Sequence, residues 1–215
     1  MVQETIHENQ EMLTYGAELA EAQVAVLLMH GRGARAESML DLAKQLPADG
    51  VAYVMPQASE NRWYPNSGFA PFAVNQPDLA SAWNTMTMRL QAIQDAGIPL
   101  QRIVVGGFSQ GACLASEYVA QHADVYGGLL VLSGALMGDE ATPRDYEKKF
   151  AGTPVFVGGA NQDSWMTEQQ LITTAEIFAS LGADVVTKIH DSSEHIIRPS
   201  DIEHATRIIT AAKDQ

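Results

Sequence analysis

The pentapeptide Gly107-Phe108-Ser109-Gln110-Gly111 follows the apolar run 102–107 and opens a stretch with helical spacing. A serine on such a strand-to-helix turn is exposed at the head of the helix, and glycines two residues to either side relieve the crowding a tight turn creates. The chemistry this offers is nucleophilic attack by a hydroxyl. A serine hydroxyl is weak at neutral pH and needs a base within hydrogen-bond reach, and the base needs a carboxylate to fix its tautomer. Six histidines are available: His7, His30, His122, His190, His195 and His204. His195 occupies the loop between the last predicted strand and the last helix, where a base following the serine in chain order belongs; His190, at the end of that strand, is the reserve. Asp163 is the acid in the loop that follows the preceding strand. Asp139, Glu140 and Asp191 lie on other loops and read as solvated surface.

An acyl-transfer site also needs donors for the developing oxyanion. His30-Gly31-Arg32-Gly33 ends an apolar strand in a glycine-rich turn. The backbone N–H groups of Arg32 and Gln110 are the expected donors; the Arg32 side chain either lines the entrance or is solvated, and His30 holds the turn. The long loop 57–77 carries Trp63, Tyr64, Phe69 and Phe72. Trp63 and Tyr64 are expected to wall a substrate pocket, with Met137 and Trp165 as further substrate-binding candidates. Cys113, one helical turn beyond Ser109, reads as a buried helix residue.

These residues must be positioned by alternating strands and helices. The continuous apolar run at 22–29 suits a parallel strand buried on both faces, and further strands are expected at 51–55, 102–107, 128–132, 153–157 and 184–190. Helical spacing recurs over 36–46, 78–95, 110–122, 167–181 and 200–213, with Asp78, Thr167 and Ser200 as N-caps and Ser200 with Glu203 as a capping box. The segment 13–19 can add an edge strand, and 141–150 a surface turn or short helix. The pattern predicts an α/β fold with an open, mostly parallel sheet, organised as one domain over 1–215. Sites in such sheets form at the carboxyl ends of the strands, where Arg32, Ser109, Asp163 and His195 all fall.

Composition narrows the function. The chain has 215 residues, 13 Lys+Arg against 26 Asp+Glu and a formal charge of −13. That balance disfavours nucleic acid as a partner and docking on anionic lipid. A single cysteine excludes an internal disulfide and a thiolate zinc cage. The apolar runs are too short to span a bilayer, so no stable membrane insertion is expected. The polar, acidic start carries no signal-peptide pattern, and a cytoplasmic protein is expected.

The blocks LLMHGRGARAESM, MPQASENRWYP, GGFSQGACLA, LVLSGAL, the Asp163 loop and SEHII occur in order over about residues 20–212. Together they resemble the phospholipase/carboxylesterase family, which includes acyl-protein thioesterases and is related to dienelactone hydrolases. The resemblance implies an α/β-hydrolase fold without a large cap domain, the triad Ser109, Asp163 and His195, an oxyanion hole at Arg32 and Gln110, no cofactor and no metal. Ser109 stands where typical dienelactone hydrolases carry cysteine, and the acid loop reads GGANQDSWMT where the family more often has G-x-x-D-x-x-V-P.

The expectation is a serine carboxylesterase acting on small-molecule esters with short to medium acyl groups. A thioesterase or lysophospholipase would use the same triad, and a non-catalytic binding protein on the same fold is the alternative from another class. Such families often form homodimers, but no surface stripe in the sequence identifies an interface.

Overall fold

The computed structural model describes residues 5–147 and 149–215. The apolar runs become strands β2 (Val24–Met29), β3 (Val51–Pro56), β4 (Ile103–Phe108), β5 (Gly128–Leu132), β6 (Pro154–Ala160) and β7 (Asp184–His190), preceded by β1 (Met12–Gly16). They form one sheet in the order β1-β3-β2-β4-β5-β6-β7. All neighbouring pairs are parallel except β1 with β3, where Met12 faces Pro56 and Gly16 faces Ala52. β2, β3 and β5 are buried along their whole length, and β4 and β6 at all but one end residue, because helices cover both faces. The two edges, β1 and β7, are partly exposed.

The strand period of two sorts the core into two layers. Val24, Val26, Leu28, Val104, Leu130 and Phe156 face α1 (Ala36–Ala43) and α5 (Pro199–Ala211). Ala25, Leu27, Met29, Val105, Leu129 and Val157 face α2 (Asp78–Asp95), α3 (Gln110–Gln121) and α4 (Glu168–Ser180). Among the described residues no helix is long and apolar enough to cross a membrane.

Helix ends differ from expectation in instructive ways. Thr167 caps α4 as predicted, its hydroxyl accepting the Gln170 N–H (3.3 Å) while the Gln170 side chain accepts the Thr167 N–H (2.9 Å). The Ser200–Glu203 box does not form. Pro199, pre-set for the first helical position, starts α5 one residue early, and Asp201 accepts the Arg198 N–H at 2.9 Å. Asp78 is the first residue of α2 rather than its cap. α1 stops at Ala43, and Gln45 and Leu46 continue as tighter turns bonded to Leu42 and Ala43. The described residues of 141–150 form a turn and then irregular chain, not a helix.

Candidate active site

The chain winds from β2 to β3 on one side of the sheet and from β4 onward on the other. β2 and β4 are neighbours across that reversal, and their carboxyl ends carry Gly31 and Ser109. Ser109 adopts φ 55°, ψ −119°, a conformation costing on the order of 1–3 kcal/mol for a residue with a Cβ. The flanking glycines make the turn possible by close approach. A Cβ on Gly111 would lie 2.1 Å from the Met29 carbonyl oxygen, and one on Gly107 would lie 2.6 Å from the same atom. The head of α3 is thereby seated against the end of β2.

The loops after β6 and β7 meet on the same edge of the sheet. His195 Nδ1 and Asp163 Oδ2 are 2.5 Å apart, with the Asp163 side chain only 1% exposed. The second Asp163 oxygen accepts the Trp165 N–H at 2.8 Å. The two loops are also stitched together. Asp191 Oδ1 accepts from Gln162 Nε2 (2.9 Å) and Asn161 Nδ2 (3.2 Å), while the Gln162 N–H donates to the Ser192 carbonyl at 3.1 Å. The Phe108 ring backs the imidazole at 5.0 Å between centroids. His195 Nε2 is buried and has no hydrogen-bond partner among the described residues. It lines the same cavity as Ser109. No hydrogen bond joins the two side chains in this structure; catalytic hydrogen bonds of unliganded sites are often long and tighten when substrate binds.

The Arg32 turn abuts the strand-to-helix elbow that carries Ser109: a Cβ on Gly31 would sit 3.4 Å from Ser109 Cβ. Gln110 is the first residue of α3, so its N–H has no intrahelical acceptor. The side chains of both residues act elsewhere. The Arg32 guanidinium donates to three consecutive carbonyls, those of Tyr64 (3.0 Å), Pro65 (2.8 Å) and Asn66. Arg32 lines the cavity with its guanidinium tied to the 64–66 loop, as a wall of the entrance rather than a free cation. Gln110 accepts the Trp63 N–H and donates to the Tyr64 carbonyl, both at 2.8 Å.

The cavity measures about 580 Å³ and has a mainly apolar lining that includes Tyr64, Phe69, Phe108, Cys113, Trp165 and Met166. Tyr64 and Trp165 are thus placed on it, Trp165 at 73% exposure. Trp63 and Met137 are not. Both are fully buried in the core, which corrects their assignment as substrate-binding residues. The Trp63 indole N–H is satisfied inward, on the His30 carbonyl at 2.9 Å, and the Met137 N–H donates to buried Glu117 at 3.2 Å. Phe108, within the elbow motif itself, and Met166, beside Trp165, reach the cavity unanticipated. Cys113 is buried as expected but also touches the cavity. Burial pushes its thiol up to about 11, so it stays protonated. His190 is engaged away from the cavity, its Nε2 2.8 Å from Asp201 Oδ1.

Residues 16–212 match the model of the phospholipase/carboxylesterase family. The chain belongs to that family. The resemblance carried by the ordered sequence blocks and the α/β-hydrolase architecture lead to the same place, and the protein is a carboxylic ester hydrolase. A crystal structure of a phospholipase/carboxylesterase from Dyadobacter fermentans is 34% identical, with a TM-score of 0.90 over 97% of this chain and 99% of that one. An acyl-protein thioesterase 1 from Debaryomyces hansenii is 28% identical over 182 residues, 75% of this chain and 78% of the relative. The Bacillus cereus carboxylesterase shares the fold, with a TM-score of 0.75 at 16% identity and 95% coverage of both chains. Within the phospholipase/carboxylesterase family, chemistry is read from the site rather than from the fold.

Proposed function

We propose that the protein is a serine carboxylesterase that cleaves short to medium acyl esters through an acyl-enzyme on Ser109. The observation that carries this reading is His195: one ring nitrogen is held by buried Asp163 while the other is buried, unpaired among the described residues and on the cavity that Ser109 lines. In this mechanism Ser109 Oγ attacks the ester carbonyl and His195 Nε2 takes its proton. Asp163 stabilises the resulting imidazolium. The carbonyl oxygen becomes an oxyanion between the N–H groups of Arg32 and Gln110. Collapse breaks the bond to the alkoxy oxygen, which leaves with the proton from His195. Water, deprotonated by the same imidazole, then attacks the acyl-enzyme and releases the carboxylic acid. The cavity of about 580 Å³ and its apolar lining support an acyl group of modest length.

A second reading, a thioester in place of the ester, is favoured by the names of the acyl-protein thioesterase relatives. A kcat/KM series of p-nitrophenyl esters from acetate to decanoate, run beside acyl thioesters of equal length, separates the two. The expected result is highest kcat/KM on the oxygen esters, peaking at short to medium chains and lost in Ser109→Ala. Higher kcat/KM on the thioesters would favour the second reading, and wild-type turnover in Ser109→Ala would overturn both.

A further inference from the structure

Trp63 was expected in the pocket and lies instead between two buried histidines, and its contacts give it a different role. Its N–H donates to the Gln110 side chain at 2.8 Å, and its indole N–H donates to the carbonyl of His30, adjacent to the Gly31–Arg32 turn, at 2.9 Å. One tryptophan therefore bonds to both segments that carry the proposed oxyanion donors. Its carbonyl is taken by a third element. His7, from the segment before β1, has Nε2 3.1 Å from the Trp63 carbonyl and accepts the Ser59 N–H on Nδ1 at 3.0 Å. His30 Nε2 accepts the neighbouring Ala58 N–H at 3.0 Å, and its Nδ1 lies 2.8 Å from the Gly31 carbonyl. The rings of His7 and His30 flank the indole at 5.5 and 5.0 Å.

We infer that His7 is a positioning residue for the oxyanion hole, acting through Trp63, which it clamps together with His30 so that the Arg32 and Gln110 amides stay in register with Ser109. This rests on the proposed esterase reading. The hydrogen-bond roles at His7 are complementary and leave no freedom. Ser59 offers a donor, so Nδ1 must carry the lone pair; Trp63 offers a carbonyl, so Nε2 must carry the proton. His7 is itself fixed to α2: its N–H donates to Ser81 Oγ at 2.9 Å, and the neighbouring Glu8 accepts from Ser81 (2.6 Å) and Asn84 (2.9 Å). Arg89 closes the anchor by donating to the Glu8 carbonyl at 3.1 Å. The link from His7 to the elbow is thus a short series of directional bonds: His7 to Trp63, Trp63 to Gln110 and Trp63 to His30.

An oxyanion donor acts mainly in the transition state, so a disturbance of its register lowers kcat and leaves KM nearly unchanged. A merely structural role would lower the melting temperature and leave kcat per competent site unchanged. The test is steady-state hydrolysis of p-nitrophenyl butyrate by wild type, His7→Ala, His7→Gln and Trp63→Phe, each normalised by fluorophosphonate titration of Ser109. His7→Ala is expected to lose about tenfold in kcat, below the ~10²–10³ for outright removal of a donor, with KM within about twofold. His7→Gln, whose amide can still donate to the Trp63 carbonyl, should recover most of the loss. Trp63→Phe keeps a ring but not the bond to His30 and should lose about threefold to fivefold in kcat. It carries the test alone if His7→Ala does not fold. Wild-type kcat per titrated serine in the folded variants, or a loss confined to KM, would overturn the inference. Failure of the esterase reading is distinguishable, because wild type itself would then show no Ser109-dependent hydrolysis.

Discussion

Among the described residues there are two histidine–aspartate pairs of similar length, His195 with Asp163 at 2.5 Å and His190 with Asp201 at 2.8 Å. Their histidines are five residues apart in sequence, and both aspartates are nearly buried, at 1% and 4% side-chain exposure. They differ in what surrounds the pair. Asp163 grips His195 by Nδ1, and the remaining Nε2 is buried on the apolar cavity without a partner among the described residues. Asp201 grips His190 by Nε2 and with its other oxygen accepts the Arg198 N–H at the head of α5. The second pair ties the end of β7 to α5, bracketing the loop that carries His195. A histidine–carboxylate pair is therefore not by itself a base. It becomes one when the free nitrogen faces a cavity that also holds a nucleophile.

The most severe way to break the comparison is to remove what the first pair faces. Ser109→Ala is expected to lower kcat for p-nitrophenyl butyrate by about six orders of magnitude, the scale seen when a nucleophile is deleted from a serine hydrolase. Steady-state assays at high enzyme concentration check this. Next in size is the matched substitution in both pairs. Asp163→Asn should cost about 10⁴ in kcat, because the tautomer of His195 is no longer set. Asp201→Asn should leave kcat within about threefold and lower the melting temperature by about 3–8 °C, through a weakened buried bond. A large kcat loss in Asp201→Asn with none in Asp163→Asn would invert the assignment.

Smaller effects sharpen the picture of the cavity beside the first pair. Trp165 holds Asp163 through its backbone N–H, while its side chain stands 73% exposed on the cavity rim. Trp165→Ala keeps the backbone bond and removes the wall, so KM should rise about threefold to tenfold with little change in kcat, as expected for loss of roughly 1 kcal/mol of ground-state contact. The smallest effect is on stability against pH. Burial holds His7 and His30 below the ordinary histidine value of 6.5. Below pH 6.5 the unfolded chain takes up protons that the folded histidines refuse, so stability is complete above that pH and declines as the pH falls below it. The charged groups that act on these rings are Asp78 and Glu8 for His7, and His7, Glu37 and Arg35 for His30. Thermal melts from about pH 7.5 to 5.5 check the sign; a flat profile would contradict it.

The parts of the site that were legible in the sequence are those governed by local geometry and strand order. The elbow is written in five consecutive residues, because close packing of Gly107 and Gly111 against Met29 demands glycine there. Asp163 and His195 follow from counting strands, since parallel strands deliver their loops to one edge. What was not legible depends on which way a loop side chain turns. Trp63 and Tyr64 are adjacent aromatics on one loop, yet one is enclosed in the core and the other lines the cavity. The partners that decide this, His7 and Gln110, lie 56 and 47 positions away in sequence. The Arg32 guanidinium is claimed by carbonyls 32 to 34 residues downstream, a contact no local pattern encodes. The α5 cap departs from the sequence expectation for a local reason: Pro199 starts the helix one residue before Ser200.

The most direct test of the central claim is to trap the acyl-enzyme. Wild-type protein is mixed with p-nitrophenyl butyrate, quenched in acid within the first turnovers, digested and read by mass spectrometry. The expected result is one butyryl group on the peptide containing Ser109, absent from Ser109→Ala and accumulating when His195→Ala is acylated slowly and cannot deacylate. A butyryl group on Cys113 instead, or turnover with no covalent adduct on any residue, would contradict it.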